Sequence, residues 1–152
     1  MQMKQVAPKT AGPELFDPTR CNCLALRQAA RHVSQIYDRH LAKVGLRGTQ
    51  YSILSKLSRL GALPIGRLAE ALVLDRTALG RALRPLERAR LLAVGAGPDG
   101  RTRSVRLTAA GEARFAQAVV EWRKAQKEFE GGFGADAAHA LRDSLLRVVE
   151  AA

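Results

Sequence analysis

Helical periodicity runs through most of this chain and breaks once, between residues 91 and 107. Leu91 to Val94 reads as a short strand, and GAGPDGRT (95–102) is a turn rich in breakers. Residues 103–107 then alternate, with Val105 and Leu107 on one side and Ser104 and Arg106 on the other. The pattern predicts a mainly α protein with one small β-hairpin set between helices. Aromatic residues make up only 5%, and Leu, Ala and Val dominate, which favours helix-on-helix packing over a β-sandwich. At 152 residues and 47% hydrophobic, the chain can bury one domain core.

Six helices follow from the apolar spacing. Residues 1–19, with three prolines and one glycine, read as an arm, flexible or dimer-embracing. The first helix covers 20–44 through Leu26, Ala29, Ala30, Val33, Ile36, Tyr37 and Leu41, and Gly45 ends it. The second, 48–60, carries Ile53, Leu54, Leu57 and Leu60, and stops at Gly61. The third, 64–72, places Pro64 in its first turn and Ile65, Leu68, Ala69 and Leu72 on one face. Asp75 is a good N-cap for the fourth, which contains Pro85 and is expected to be one kinked helix. Thr108 caps the fifth over 109–130, which Gly131, Gly132 and Gly134 should break. A sixth covers about 135–150.

The net charge is +11, carried mostly by Arg, and its placement is informative. Segment 64–108 holds nine arginines, no lysine and four acids (Glu70, Asp75, Glu87 and Asp99), a local excess of +5. At about 100° per residue, Arg81, Arg84 and Arg88 fall within about 40° of Thr77, with Leu79, Leu83 and Leu86 on the opposite side. The fourth helix therefore packs by its leucines and presents an arginine ridge. Such a ridge suits a major groove, where Arg bonds guanine O6/N7 or nearby phosphates. A solvated charged face is the ordinary meaning of such a run. The context favours DNA: a short helix, a three-residue link and an arginine-faced helix have helix-turn-helix proportions. Arg101 and Arg103 stand near the tip of the hairpin that follows, and a basic hairpin can enter the adjoining minor groove. The competing reading is a basic module for an acidic protein or a membrane surface.

Other chemistries find little support. No run of 18 apolar residues is present, and the first 20 residues lack the apolar core of a signal peptide. Two cysteines, Cys21 and Cys23, make no disulfide framework, so the expected setting is the reducing cytoplasm. GAGPDG (95–100) matches G-x-G-x-x-G literally, but a strand follows where a dinucleotide site needs a helix N-terminus. His32, His40 and His139 have no metal-ligand spacing, and no acid, base and nucleophile converge. The chain is expected to be no enzyme and to hold no cofactor or metal.

Residues 63–92, LPIGRLAEALVLDRTALGRALRPLERARLL, and 98–111, PDGRTRSVRLTAAG, resemble the MarR family of bacterial regulators. The second segment matches that family's wing pattern at Asp99, Arg101, Leu107, Thr108 and Gly111, and the likeness runs from about residue 20 to 150. It implies a dimeric winged helix-turn-helix in a single domain, 20–152, with dimerisation helices at 20–47 and 109–152 and a DNA-binding lobe at 48–108. It implies a homodimer on duplex DNA, most often a repressor released by a small aromatic ligand or by oxidation.

The candidate DNA contacts are Arg67, Arg76, Thr77, Ala78, Arg81, Arg84 and Arg88, with Asp99, Arg101 and Arg103 from the wing, where Arg101 would reach the minor groove. Ala78 and Gly80 stand where relatives often carry hydroxyls, which shifts readout to Thr77, Arg81 and Arg84. Tyr37, Tyr51 and Trp122 are candidate ligand-pocket residues, with core packing as the alternative, and Arg27 could pair a ligand carboxylate. Cys23 lies fourteen residues before Tyr37, the spacing of the family's hydroperoxide sensors. Arg27 replaces a tyrosine of that branch, and the alternative for the cysteines is a small buried hydrophobe.

Overall fold

The computed structural model describes residues 18–151. The arm expected over 1–19 lies outside these residues apart from its last two. The described residues divide into two compact units, with the boundary between His32 and Val33 inside the first helix. In the first unit a 3-10 turn, Pro18–Arg20, precedes helix α1 (Asn22–Leu41). The Leu24 amide donates to Cys21 Sγ at 3.4 Å, so the sulfur serves one N–H that the helix itself leaves unpaired.

The second unit continues α1 into a 3-10 turn, Ala42–Val44, closed by Gly45 at φ 71°. Then come α2 (Gly48–Leu60), β1 (Leu63–Pro64), α3 (Ile65–Leu72), α4 (Arg76–Arg88), β2 (Leu92–Ala96), β3 (Arg103–Leu107), α5 (Ala109–Phe133) and α6 (Ala135–Glu150). The three strands form an antiparallel sheet in the order β1-β3-β2. This is a winged helix-turn-helix with six helices. No helix among the described residues is long and apolar enough to cross a membrane.

Tertiary contacts override local signals at a few places. Pro64 is not in the first turn of α3. It lies one residue ahead, at φ −56° and ψ 143°, and pairs with Ser104 in a strand that the sequence did not signal. Two residues carry no periodicity, so β3 alone defines β1. Strand β2 starts at Leu92 and runs on through Gly95 and Ala96, which pair with Ser104 and Arg103. Helix α5 passes through Gly131 and Gly132 and ends only at Gly134, whose φ of 97° leaves helical space. An interior glycine costs about 1 kcal/mol relative to Ala without blocking helical geometry. Helix α4 is continuous through Pro85, three residues from its end, where only the bond to the Arg81 carbonyl is lost.

Leu41, Ile53, Leu54, Leu68, Leu79, Leu86, Leu92 and Val105 are the largest fully buried side chains. Burial of each contributes roughly 1.5–3 kcal/mol. They bring α2, α3, α4 and the sheet into one core. The junction of wing and α5 is tighter than any side chain permits. Thr108 Oγ donates to the Arg90 carbonyl at 2.7 Å and accepts from the Gly111 amide at 3.0 Å, while its own amide donates to Leu91 O at 3.2 Å. A Cβ on Gly111 would lie 1.8 Å from that Leu91 oxygen. The opposite situation holds between α3 and α4. There Val73, 69% exposed, adopts φ 53° and ψ 44°, left-handed backbone that a β-branched residue resists.

These two positions predict shifts of opposite sign. Gly111→Ala should lower unfolding free energy by about 3 kcal/mol or more, because a backbone oxygen must move. Val73→Gly should raise it by about 0.5–1 kcal/mol, strain relief exceeding the added chain entropy. Urea denaturation of both variants measures this, and equal midpoints would remove the strain argument.

Candidate nucleic-acid interface

Helix α4 is set in place at its start by Asp75, whose carboxylate accepts the Ala78 amide at 2.8 Å. Leu79, Leu83 and Leu86 are buried beneath it. Arg76, Thr77, Arg81, Arg84 and Arg88 are exposed, as the helical wheel anticipates, and Ala78 and Gly80 are half-buried. Among the described residues Arg76, Arg81, Arg84 and Arg88 form no ion pair. Arg67 pairs with Glu70 at 2.9 Å, one turn apart and largely in solvent, a bond of little energetic weight.

The wing is organised by Asp99. One carboxylate oxygen accepts the Arg101 amide at 3.0 Å, the Thr102 amide at 2.9 Å and the Thr102 hydroxyl at 2.7 Å. The Gly97 amide donates to Thr102 O at 2.6 Å, and Gly100 takes φ 66°. The Thr102 amide and hydroxyl, then the Arg101 amide, hold the Asp99 carboxyl below the usual carboxylate range. Asp99, a candidate DNA contact by sequence, here faces its own turn and positions Arg101. The G-x-G-x-x-G stretch is this turn, and a strand follows it.

Arg101 and Arg103 line one concavity of about 540 Å³ together with Arg67, Arg76, Gly66 and Glu70. Hairpin and helix-turn-helix therefore share a surface. The Arg76 guanidinium comes within 3.3 Å of where a Cβ on Gly66 would stand, a proximity with no local sequence signal.

Tyr37, Tyr51 and Trp122 meet around a second cavity of about 460 Å³ in unit 33–152. Tyr51 stacks on Trp122 at 6.1 Å and 9°, and tilts against Phe115 at 5.5 Å. The Tyr37 hydroxyl donates to Gln126 at 2.5 Å. Burial raises both tyrosine pKa values. All three rings pack against the core and line the cavity. Sequence reasoning missed Arg47 and Asp38 in the lining. Asp38 accepts the Gly48 amide at 2.6 Å and so caps α2 from ten residues upstream, beyond any capping motif. Arg27 is exposed in the first unit and is not among the lining residues. In the single chain Cys23 is exposed and Cys21 half-buried. His40 contacts Glu128 at 2.7 Å and His139 lies 3.5 Å from Asp143. Among the described residues no three metal-ligating side chains converge.

Comparison with known proteins agrees with this geometry. A family model described as MarR family matches residues 46–99. The M. tuberculosis transcriptional regulator MosR, solved in complex with DNA, is 35% identical with a TM-score of 0.78 over 87% of this chain and 96% of its own. The Streptomyces coelicolor transcriptional regulator PcaV, solved with its natural ligand, is 21% identical at TM-score 0.79 over 91% and 99%. Bordetella bronchiseptica BpsR, whose DNA binding is regulated by 6-hydroxynicotinic acid, is 23% identical at TM-score 0.73 over 83% and 96%. At their identities the latter two share the fold. No curated protein sequence matches the chain.

Asp99 gives a pH prediction with a definite sign. Its lowered carboxyl pKa means that the turn's bonds hold throughout neutral pH and are lost as pH falls through that lowered value. The Arg101 and Thr102 amide proton shifts should follow one titration with a midpoint below the usual carboxylate range. In Asp99→Ala both signals should already sit at their acid-limit positions at pH 7. A midpoint at or above the ordinary value would show that the wing is not held this way.

Proposed function

The chain belongs to the MarR family of transcription regulators, and on that premise we propose that it represses transcription by holding a pseudo-palindromic operator as a homodimer. The observation that carries this reading is the uncompensated face of α4, with Arg81, Arg84 and Arg88 outward above buried Leu79, Leu83 and Leu86. That face enters a major groove, where each well-placed Arg contributes base discrimination. Dimerisation explains the bare apolar surface of α6, where Leu146, Val148 and Val149 are 53–57% exposed. A twofold axis then requires half-sites about 10 bp apart, or a multiple of that spacing. The DNA complex of MosR supports the same partner.

Release by a small aromatic acid is the second part of the reading. The cavity beneath Tyr37, Tyr51 and Trp122 offers stacked rings, and among the described residues Arg47 is the one cation in its lining. PcaV and BpsR, which share the fold, respectively bind a natural ligand and respond to an aromatic acid.

Two measurements test this. Duplexes selected from a random pool should be palindromic, and Arg81→Ala or Arg84→Ala should weaken operator binding by about tenfold to a hundredfold with an unchanged melting temperature. Binding to anionic vesicles with none to any duplex would favour a membrane-surface module instead. In a thermal-shift panel of aromatic acids, a stabilising compound should also release operator, and Arg47→Ala should weaken its effect at least tenfold. A stabilising acid indifferent to Arg47→Ala would place the ligand elsewhere.

A further inference from the structure

We propose that His40 works a proton-driven clasp between the end of α1 and the middle of α5, in which the protonated ring takes the buried oxygen Glu121 Oε2 from Lys43. The inference concerns residues that neither the DNA face nor the lining of the aromatic cavity uses, and it does not rest on the DNA-binding reading.

The His40 ring stands between two carboxylates of α5. On one side Nε2 is 2.7 Å from Glu128 Oε2. On the other, Nδ1 is 3.9 Å from Glu121 Oε2, too far for a hydrogen bond. Among the described residues these two atoms, His40 Nδ1 and Glu121 Oε2, are the buried side-chain polar atoms left without a hydrogen-bond partner. Glu121 itself is only 8% exposed. An unpaired buried polar atom is costly, and here two of them face each other. The proton count supplies the reason. A neutral imidazole carries one N–H. The bond from His40, and then Arg39, hold the Glu128 carboxyl below the usual range, so Glu128 is an anionic acceptor and the N–H sits on Nε2. Nδ1 then turns a lone pair towards the lone pairs of Glu121 Oε2, and the two atoms stand apart.

A proton is what fits this gap. Neither atom leaves room for a water molecule against it. A metal cation would meet Lys43, 3.6 Å from Oε2, and Lys124, which donates to Oε1 at 2.5 Å. Lys124 first, and also Lys43, keep the Glu121 carboxyl below the usual range, so it is an anion throughout the interval in which a histidine titrates. A second proton, taken from solvent by Nδ1, turns the lone pair into a donor. The imidazolium then bonds a carboxylate on each side, and Nδ1 closes on Oε2 by about 1 Å to reach ordinary hydrogen-bond length. Arg39, Lys43 and Lys124 oppose the added charge, but each is more than half exposed and screened, whereas the two carboxylates touch the ring. Lys43 gives up Oε2 to solvent at little cost. The clasp grips the stretch of α1 that ends in Leu41 and the stretch of α5 that contains Trp122, both of which line the aromatic cavity. Closure is therefore felt at Trp122, the single tryptophan of the chain.

The test uses the full-length protein, with NMR of the histidine ring nitrogens and glutamate carboxyls and the emission of Trp122 followed from about pH 8 to about pH 5. At the alkaline end the His40 proton should be on Nε2. As His40 titrates, the Glu121 carboxyl signal and the Trp122 emission should move with the same midpoint. His40→Gln should abolish the emission change, and His32→Gln and His139→Gln should keep it. Glu121→Gln offers an amide N–H to the neutral Nδ1 and closes the clasp without a proton. Its emission at the alkaline end should match that of acidified wild type and stay flat. A ring protonated on Nδ1 at the alkaline end, a Glu121 carboxyl that stays silent while His40 titrates, or an emission change that survives His40→Gln overturns the clasp. So does a folded Glu121→Gln whose emission at the alkaline end is that of wild type. If Glu121→Gln does not fold, the wild-type carboxyl titration and His40→Gln decide the matter.

Discussion

Burial of one face of α4 is the constraint on which the interface depends. Leu79, Leu83 and Leu86 are within a few per cent of full burial, and three such side chains contribute roughly 5–9 kcal/mol before entropy. A helix rotated by about 100° would expose them, so the register is not negotiable. Arg81, Arg84 and Arg88 face outward because the leucines between them must face inward. The cost of concentrating cations on one surface is a few repulsive contacts in solvent, small at physiological ionic strength beside the core term.

What makes that surface useful is how the acids are spent. Asp75 gives its carboxylate to the Ala78 amide, Asp99 to two amides and a hydroxyl, and Glu70 to Arg67. Two of the four acids in the segment thus satisfy backbone donors, and a third neutralises one arginine. Each carboxylate that shapes a turn keeps its charge, but its oxygens are committed to that turn and make no ion pair with the arginines of the ridge.

Much of this was legible in the sequence, because it follows from short-range chemistry. The arginine ridge, the Asp75 and Thr108 caps, the extent of α2 and α6 and the alternation of β3 each depend on residues within about one turn or one strand. The illegible parts depend on approach between distant segments. Strand β1 exists because β3 offers it a partner. Gly131 and Gly132 stay helical because glycine merely permits an exit that only Gly134 takes. Asp38 caps a helix ten residues away, and Gly66 matters because Arg76 lies on it. Gly111 is instructive: the family pattern marks it, and the 1.8 Å approach to Leu91 O supplies the physical reason.

The aromatic cavity and the DNA face are joined through α2. Tyr51 and Ser52 contribute to the cavity wall, while Ile53, Leu54 and Leu57 of the same helix enter the core that seats α4. A ligand changes operator affinity only by binding the two arrangements of that core unequally. The cavity rings pack against the same core cluster that contains Leu79 and Leu83, so an occupant that moves Tyr51 or Trp122 acts on that cluster. Close-packed interiors respond to such displacement by shifting elements rather than by yielding. The dual role of the rings, as lining and as core, is therefore what would let a small molecule act on a helix it never touches.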